Sequence, residues 1–496
     1  MASTKEQARK MVQTYLDEVE WGDDEFIRRE EQKTRKERKQ LPEGCLNSAL
    51  YRDVMRIAWP SLVELLLASL ASMVDMMMVG AMGPVIGDEA IAAVSLAAQP
   101  KFIFVSLIIA LNAGLTAAVA RARGAGDHDL ANDTLRQGLL VSMMVCVFGS
   151  LVGYLAADPL IRFMANNGLS EQVIGMGVSY LKIQMAGFLT VGLSSTYTAA
   201  LRGTGNSKIP MWYNIIANAL NVAGNYALIN GHWGCPALGV VGASLATVLG
   251  QAVATVIAVW ATGCGKYYFH VRLSDFFHGF KVDSSIMGRI VKVGLPSLGE
   301  QFIMRLGIIL FTRQVTALGN PAYTTHQICM NIQSLTFMLG QAMAVSSTTL
   351  VGQSLGKRRP DMAEHYSRRC SQVGILISIG LGLFFAVFGK YIVSLYSETA
   401  AVINASVPIM ILLGLMQPIQ TPQFILSGSL RGAGDTKSTA IITLVGVLIL
   451  RPIIASFTIP AIGLMGAWLA IAADQIGRTC LVTYLYGRGK WKRIAL

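Results

Sequence analysis

Arg56-Ile-Ala-Trp-Pro-Ser-Leu-Val-Glu64, at the head of the first apolar stretch, returns as Lys292-Val-Gly-Leu-Pro-Ser-Leu-Gly-Glu300, 236 positions later. The echo continues along the chain. Gly83 matches Gly319 at the same offset, Gly124 and Arg136 match Gly356 and Arg368 at 232, and Leu201-Arg-Gly-Thr-Gly205 matches Leu430-Arg-Gly-Ala-Gly434 at 229. Near the two ends Gly242, Leu245 and Gln251 match Gly466, Leu469 and Gln475 at 224. An offset that drifts slowly in this way is what loop trimming does to a duplicated unit.

Composition decides where the duplicated unit sits. The 496 residues are 53% hydrophobic and 14% charged, with a mean hydropathy of +0.50. A water-soluble chain of that make-up would expose too much apolar surface. Twelve stretches are long enough to cross a bilayer as helix: 57–82, 91–120, 134–157, 175–200, 210–230, 239–262, 289–318, 324–354, 371–395, 402–429, 438–459 and 463–486. The chain therefore reads as an all-α integral membrane protein. Six spans per copy is an even number, so both copies enter the membrane in the same sense and are parallel repeats.

Loop charge orients the spans. The loops near 84–90, 231–238, 319–323 and 460–462 hold no Lys or Arg, whereas the alternate loops carry Arg121 and Arg123, Lys208, Lys266 and Arg272, Lys357 to Arg359, and Lys437. By the positive-inside rule the basic loops and both termini are expected in the cytoplasm, with the protein in the inner (plasma) membrane. The net charge of +12 follows from this asymmetry. It suits a surface facing anionic membrane lipids and requires no nucleic acid. The expected organisation is a charged cytoplasmic extension (1–50), a first lobe (51–263), a cytoplasmic linker (264–285), a second lobe (286–487) and a tail (488–496).

Seven scattered cysteines show no disulfide framework or zinc spacing, and HExxH and Walker A patterns are absent from the sequence. The six histidines are dispersed. These features argue against an enzyme, and no cofactor is expected. Duplicated membrane chains of this kind are commonly secondary transporters, with the path between the copies.

A carboxylate in mid-span costs about 2.5–3.5 kcal/mol on insertion scales, so one that is kept faces protein or water. Asp75, within Met73-Val-Asp-Met-Met-Met78, is the leading case. Held among apolar neighbours, it is suited to trade a proton or Na+ for a rearrangement linked to cargo. Asn221 and Asn225, four apart, share a helix face; helix-to-helix glue is their simpler use. Glu64 lies three turns before Asp75 on the same face, about 16 Å along the axis, and Glu300 is its repeat mate. Each follows a proline by one turn, and Pro60 and Pro296 are candidate hinges. Glu300 is a candidate for coupling or cargo recognition, or for an ion pair with Arg305 or Arg313. Arg451, before Pro452, either pairs with a carboxylate or snorkels. The 23 methionines suit adaptable walls, and Tyr197, Trp212 and Tyr226 are candidates to stack on cationic ligands.

Pro60 leading to Val74-Asp75 and Gly80, the two Arg-Gly-x-Gly corners, Leu298-Gly-Glu-Gln301, and His326-Gln-Ile328 followed by Asn331 together resemble the multidrug and toxic compound extrusion (MATE) family over about residues 50–490. The resemblance implies two six-helix lobes meeting in a V, and export of drugs or toxic cationic or amphiphilic compounds in exchange for H+ or Na+. It implies a first-lobe cation site at Asp75, Asn221, Asn225 and Thr247, with Gln327 and Asn331 as further recognition candidates in the second lobe. One family branch carries Asp where this chain has Asn225, and some relatives carry Asp where it has Gln420. The first departure weakens a Na+ site and favours a proton cycle; the second gives no support to a cation site in the second lobe. The chain is expected to act as a monomer. Flipping or export of a lipid-linked or other specific metabolite is the alternative, but it calls for a cationic central cavity, and few Lys or Arg fall in mid-span.

Overall fold

The computed structural model describes residues 47–82, 86–165, 170–265, 267–271, 282–394 and 400–494. The amino-terminal extension up to residue 46, half of the linker expected at 264–285, Gly83 and Cys45 lie outside the described residues. Helix follows helix throughout: α1 (Asn47–Gly80), α2 (Ile86–Ala125), α3 (His128–Leu155), α4 (Ala157–Ala165), α5 (Glu171–Ala186), α6 (Phe188–Gly203), α7 (Lys208–Asn230) and α8 (Val240–Gly263) make the first six-span repeat. The second is built from α9 (Ser284–Thr316), α10 (Asn320–Gly356), α11 (Pro360–Ser394), α12 (Ala400–Gly432), α13 (Thr436–Ile462) and α14 (Leu464–Gly487). Among the described residues nine helices are long and apolar enough to span a bilayer alone. The fourth span is the pair α5 and α6, bent by 51° at Gly187, where an added Cβ would meet Val248 at 2.4 Å. The remaining two, α7 and α14, fall short in hydropathy because they carry the Asn, Asp and Arg residues described below.

Three departures from the sequence expectation have physical causes. Helices run past the apolar stretches at the basic end, as in α11, which starts at Pro360 rather than 371. Charged turns continue a helix into water without penalty. The segment expected as a loop at 158–174 contains α4, whose Ala157, Ile161 and Ala165 are buried on one face. Finally, α13 is wound as a π-helix over Leu444–Leu450, immediately ahead of Pro452. Proline removes a donor and crowds the carbonyl four residues back, and a wider turn relieves both. Pro60 and Pro296, by contrast, lie inside helices that continue through them.

The repeats meet along α1 and α2 on one side and α9 and α10 on the other. Small residues allow the approach: a Cβ on Gly124 would sit 2.1 Å from the Gln353 carbonyl, and one on Gly356 2.1 Å from that of Arg121. Polar bonds close the same end of the seam. Thr349 donates to the Arg202 carbonyl (2.9 Å), Gln353 to that of Gly203 (3.0 Å), Arg121 to that of Ala433 (3.0 Å), and Tyr366 to the Asp53 carboxylate (2.9 Å). All of these lie at the end that carries the basic loops. Further along, Arg305 of α9 stacks over the ring of Phe102 of α2 at 3.9 Å.

Candidate functional site: a polar ladder and an acid in the first lobe

Two side-chain bridges join α1 to α7 at one constant offset of 150 residues. Asn214 donates to Glu64 (2.6 Å), and Asn225 donates to Asp75 (2.6 Å). A constant offset means that the helices run parallel and in register, so the eleven-residue spacing of the acids is matched by that of the asparagines. Close packing of α7 on α8 brings the third member. A Cβ on Gly250 would sit 2.7 Å from the Ala217 carbonyl, and one on Gly224 3.0 Å from Ala246. At that approach Thr247 lies 3.1 Å from the Asn221 amide. With the Asn221 amide turned so that its nitrogen faces the acid, it donates to Asp75 at 2.7 and 3.1 Å while its oxygen accepts from Thr247. Asp75, Asn221, Asn225 and Thr247 thus form one cluster. In it, amide N–H groups face the carboxylate, and the Asn225 amide oxygen is buried without a partner.

Sequence reading missed one member. Lys101 of α2 is near enough for its charge to act on Asp75, and its ammonium donates to Gln184 at 2.7 Å, which in turn donates to Ser244. It lies 26 positions along the chain from Asp75, so only the packing of α2 against the rest of the lobe brings the two together. The signal available was a lysine inside an apolar span.

The repeat shows itself again in the glutamates. Glu64 lies 2.7 Å from Arg202, and Glu300 lies 2.6 Å from Arg431; the two arginines are the first residues of the matching Arg-Gly-x-Gly corners. Glu300 also accepts from Thr439 (2.9 Å) and from Thr443 (3.3 Å), and Thr443 stands in the repeat where Asn214 stands in the first copy. The ion pair expected with Arg305 or Arg313 is therefore replaced by one with Arg431. The Arg-Gly corner folds back beside the glutamate, while Arg305 is engaged with Phe102.

Arg451 pairs with a carboxylate, Asp474 of α14, at 2.5 Å, and Arg478 reaches the same carboxylate at 2.8 Å. Asp474 is fully buried. These groups, with Arg431, overturn the expectation of an interior poor in basic residues: periodicity along single helices does not show which arginines converge. Gln327 and Asn331 stay exposed on α10, away from the Asp75 cluster, with Gln327 donating to Tyr323. Gln420 is buried on α12. Of the aromatic candidates, Tyr197 is buried, Tyr226 stacks on His232 at 4.2 Å, and Trp212 lines a recess of ≈780 Å³ at the basic end that contains none of the cluster residues.

Comparison with known proteins fits this architecture. The chain is 27% identical over 447 residues to the probable multidrug resistance protein NorM of Thermotoga maritima, covering 90% of this chain and 94% of that one. It is 28% identical over 448 residues to the multidrug resistance protein MdtK of Yersinia pestis, covering 89% and 95%. Its fold superposes on a multidrug resistance MATE family transporter of the MOP superfamily, solved in an outward-facing conformation, with a TM-score of 0.81 at 22% identity, covering 89% of this chain and 96% of that one. A MOP superfamily transporter from Pyrococcus furiosus gives 0.80 at 22% identity over the same shares. The MatE family model matches twice, at residues 60–227 and 296–457, once in each repeat. With both halves of the duplicated membrane unit matched in this way, the chain belongs to the MatE family of transporters.

Proposed function

We propose that the chain is a cation-coupled antiporter that exports drugs or toxic amphiphilic compounds by alternating access, with H+ as the coupling ion. The observation that carries this reading is the cluster at Asp75. An ionised Asp75 accepts from the two amides, as in the geometry above. Once protonated, its O–H becomes a donor, and an amide must turn its oxygen toward it; the unpartnered Asn225 oxygen is the acceptor in reach. Proton binding thus repacks α1 against α7 and α8. Because an ion shifts a conformational equilibrium only by its difference in affinity between states, that repacking is where coupling enters.

The donor set supports H+ over Na+. A Na+ ion needs several oxygens at once, and here amide nitrogens face the only carboxylate of the cluster, with Lys101 already acting on it. The lobes, proposed as 51–263 and 286–487, rock about the small-residue seam with both termini cytoplasmic in the plasma membrane. The seam is closed at the basic end, which supports reading this state as outward-open. Pro60 and Pro296 give α1 and α9 a missing backbone bond at which to bend, and cargo competes with the proton through that motion.

A second reading, export of a lipid-linked or other specific metabolite, is favoured by the arginines around Asp474. The test is uptake and efflux in proteoliposomes with pH and Na+ gradients imposed separately. Wild-type efflux should follow the pH gradient alone, and Asp75→Asn should abolish it while the protein remains folded. Wild-type transport by that variant would remove Asp75 from the mechanism.

A further inference from the structure

Between α2 and the second lobe lies a cavity of ≈330 Å³, reached by Ile109 and Ala113 of α2 and otherwise lined by α9, α10, α12, α13 and α14. Its charges do not balance. Glu300 is matched by Arg431, but Asp474 is shared between Arg451 and Arg478, which leaves three guanidinium groups facing two carboxylates. Arg451 is 8% exposed, Arg478 5% and Asp474 0%. An unmatched positive charge at such depth is costly without an anion beside it.

The arrangement is built rather than incidental. The π-helical turn places Gly446 against the pair, and a Cβ there would fall 2.4 Å from the Asp474 carboxylate and 2.3 Å from the Arg478 side chain. Arg478 Nε lies 2.8 Å from Asp474, and its Nη2 donates to the same carboxylate at 3.0 Å, so the two arginines converge on one acid. Gln333 and Gln475, each 1% exposed and lining the same cavity, leave an amide nitrogen and an amide oxygen unpartnered. Opposite them Phe337 and Phe424, with ring centroids 5.6 Å apart, and Met304 supply an apolar wall.

We propose that this cavity binds the anionic group of an organic cargo, a carboxylate, sulfonate or phosphate carried on a ring system of one or two rings. Arg451, Arg478 and the Gln333 amide would take the charge, and the Phe337 and Phe424 wall the ring. Guanidinium groups suit such oxyanions because their N–H fork can reach two of the oxygens at once. The inference rests on the transport reading and extends its substrate class: anionic or zwitterionic amphiphiles join the cationic ones.

The test uses the full chain in lipid nanodiscs without any gradient, with calorimetric titration of three probes of one shape: 2-naphthoate, 2-naphthylmethylammonium and 2-naphthylmethanol. Naphthoate should bind roughly tenfold or more tighter than the other two. Arg451→Gln and Arg478→Gln each leave one arginine for Asp474, and each should weaken naphthoate by a similar factor without changing naphthylmethanol. Asp474→Asn adds a further unmatched positive charge and should tighten naphthoate, a change of sign that misfolding does not produce. Equal affinity for the three probes overturns the proposal, as does weakening of naphthoate by Asp474→Asn. Titration in gluconate and in chloride distinguishes an organic anion from a halide: unchanged naphthoate affinity supports the proposal, and displacement by chloride overturns it. Since no gradient is present, failure here leaves coupled export standing, whereas normal naphthoate binding with no movement of any probe in proteoliposomes would sink the transport reading instead.

Discussion

Replacing Glu300 tests whether the matched glutamate–arginine pairs act as clamps or as coupling acids. Glu300 is 3% exposed and holds Arg431 at 2.6 Å, Thr439 at 2.9 Å and Thr443 at 3.3 Å, tying α9 to α12 and α13. Glu300→Ala strands all three partners, and breaking a buried pair costs about 3–5 kcal/mol. The Arg431 side chain is 24% exposed and regains some water, which places the loss near the lower end, about 3 kcal/mol. Glu300→Gln keeps the shape: its oxygen still accepts from Arg431, and its nitrogen donates to Thr439, which then donates to the Thr436 carbonyl it already reaches at 3.0 Å. Only the charge assistance is lost, about 1.5 kcal/mol. In the first repeat the Glu64 oxygen nearest Arg202 is not aligned for a hydrogen bond, and Asn214 can turn its amide to suit a glutamine, so Glu64→Gln should cost less than Glu300→Gln. SDS titration in mixed micelles gives the ordering, and proteoliposome efflux shows whether transport falls only as folded protein is lost. Full stability with no efflux in Glu300→Gln would refute the clamp and make Glu300 a coupling acid.

Asn225→Asp restores a second carboxylate beside Asp75 and is expected to make efflux respond to a Na+ gradient; an unchanged ion dependence would show that charge count does not set ion choice here. Gly124→Ala and Gly356→Ala place a methyl group against the facing carbonyl at 2.1 Å and should part the lobes at the basic end. Spin labels at positions 208 and 357 should then report longer distances than in the parent, and identical distances would refute the closed-seam account. Tyr366→Phe removes the bond to Asp53 across the same seam and should favour the opposite state by about 1 kcal/mol, seen as a several-fold population change with those labels. Gly446→Ala crowds Asp474 and Arg478 and should destabilise by about 1–3 kcal/mol, measured by SDS titration.

The sequence by itself determined the class and the repeat, and it singled out Asp75 as a mid-span acid. Apolar stretches of bilayer length, loops of alternating charge and the returning Pro-Ser-Leu phrase are all properties of local chain order, and a membrane enforces them, because lipid leaves the backbone almost no choice but helix. The spacing of Glu64 and Asp75 also survived into the fold, since a helix converts residue count directly into distance. What only the tertiary structure decided is which charges meet. Arg431 rather than Arg305 reaches Glu300, Lys101 comes within electrostatic reach of Asp75 from another helix, and Asp474 gathers two arginines under a π-helical turn. Each of these depends on helix rotation and crossing, set by where glycines allow backbones to touch. A one-dimensional pattern does not encode those rotations, and the charge of the second-lobe cavity stayed hidden until the helices were packed.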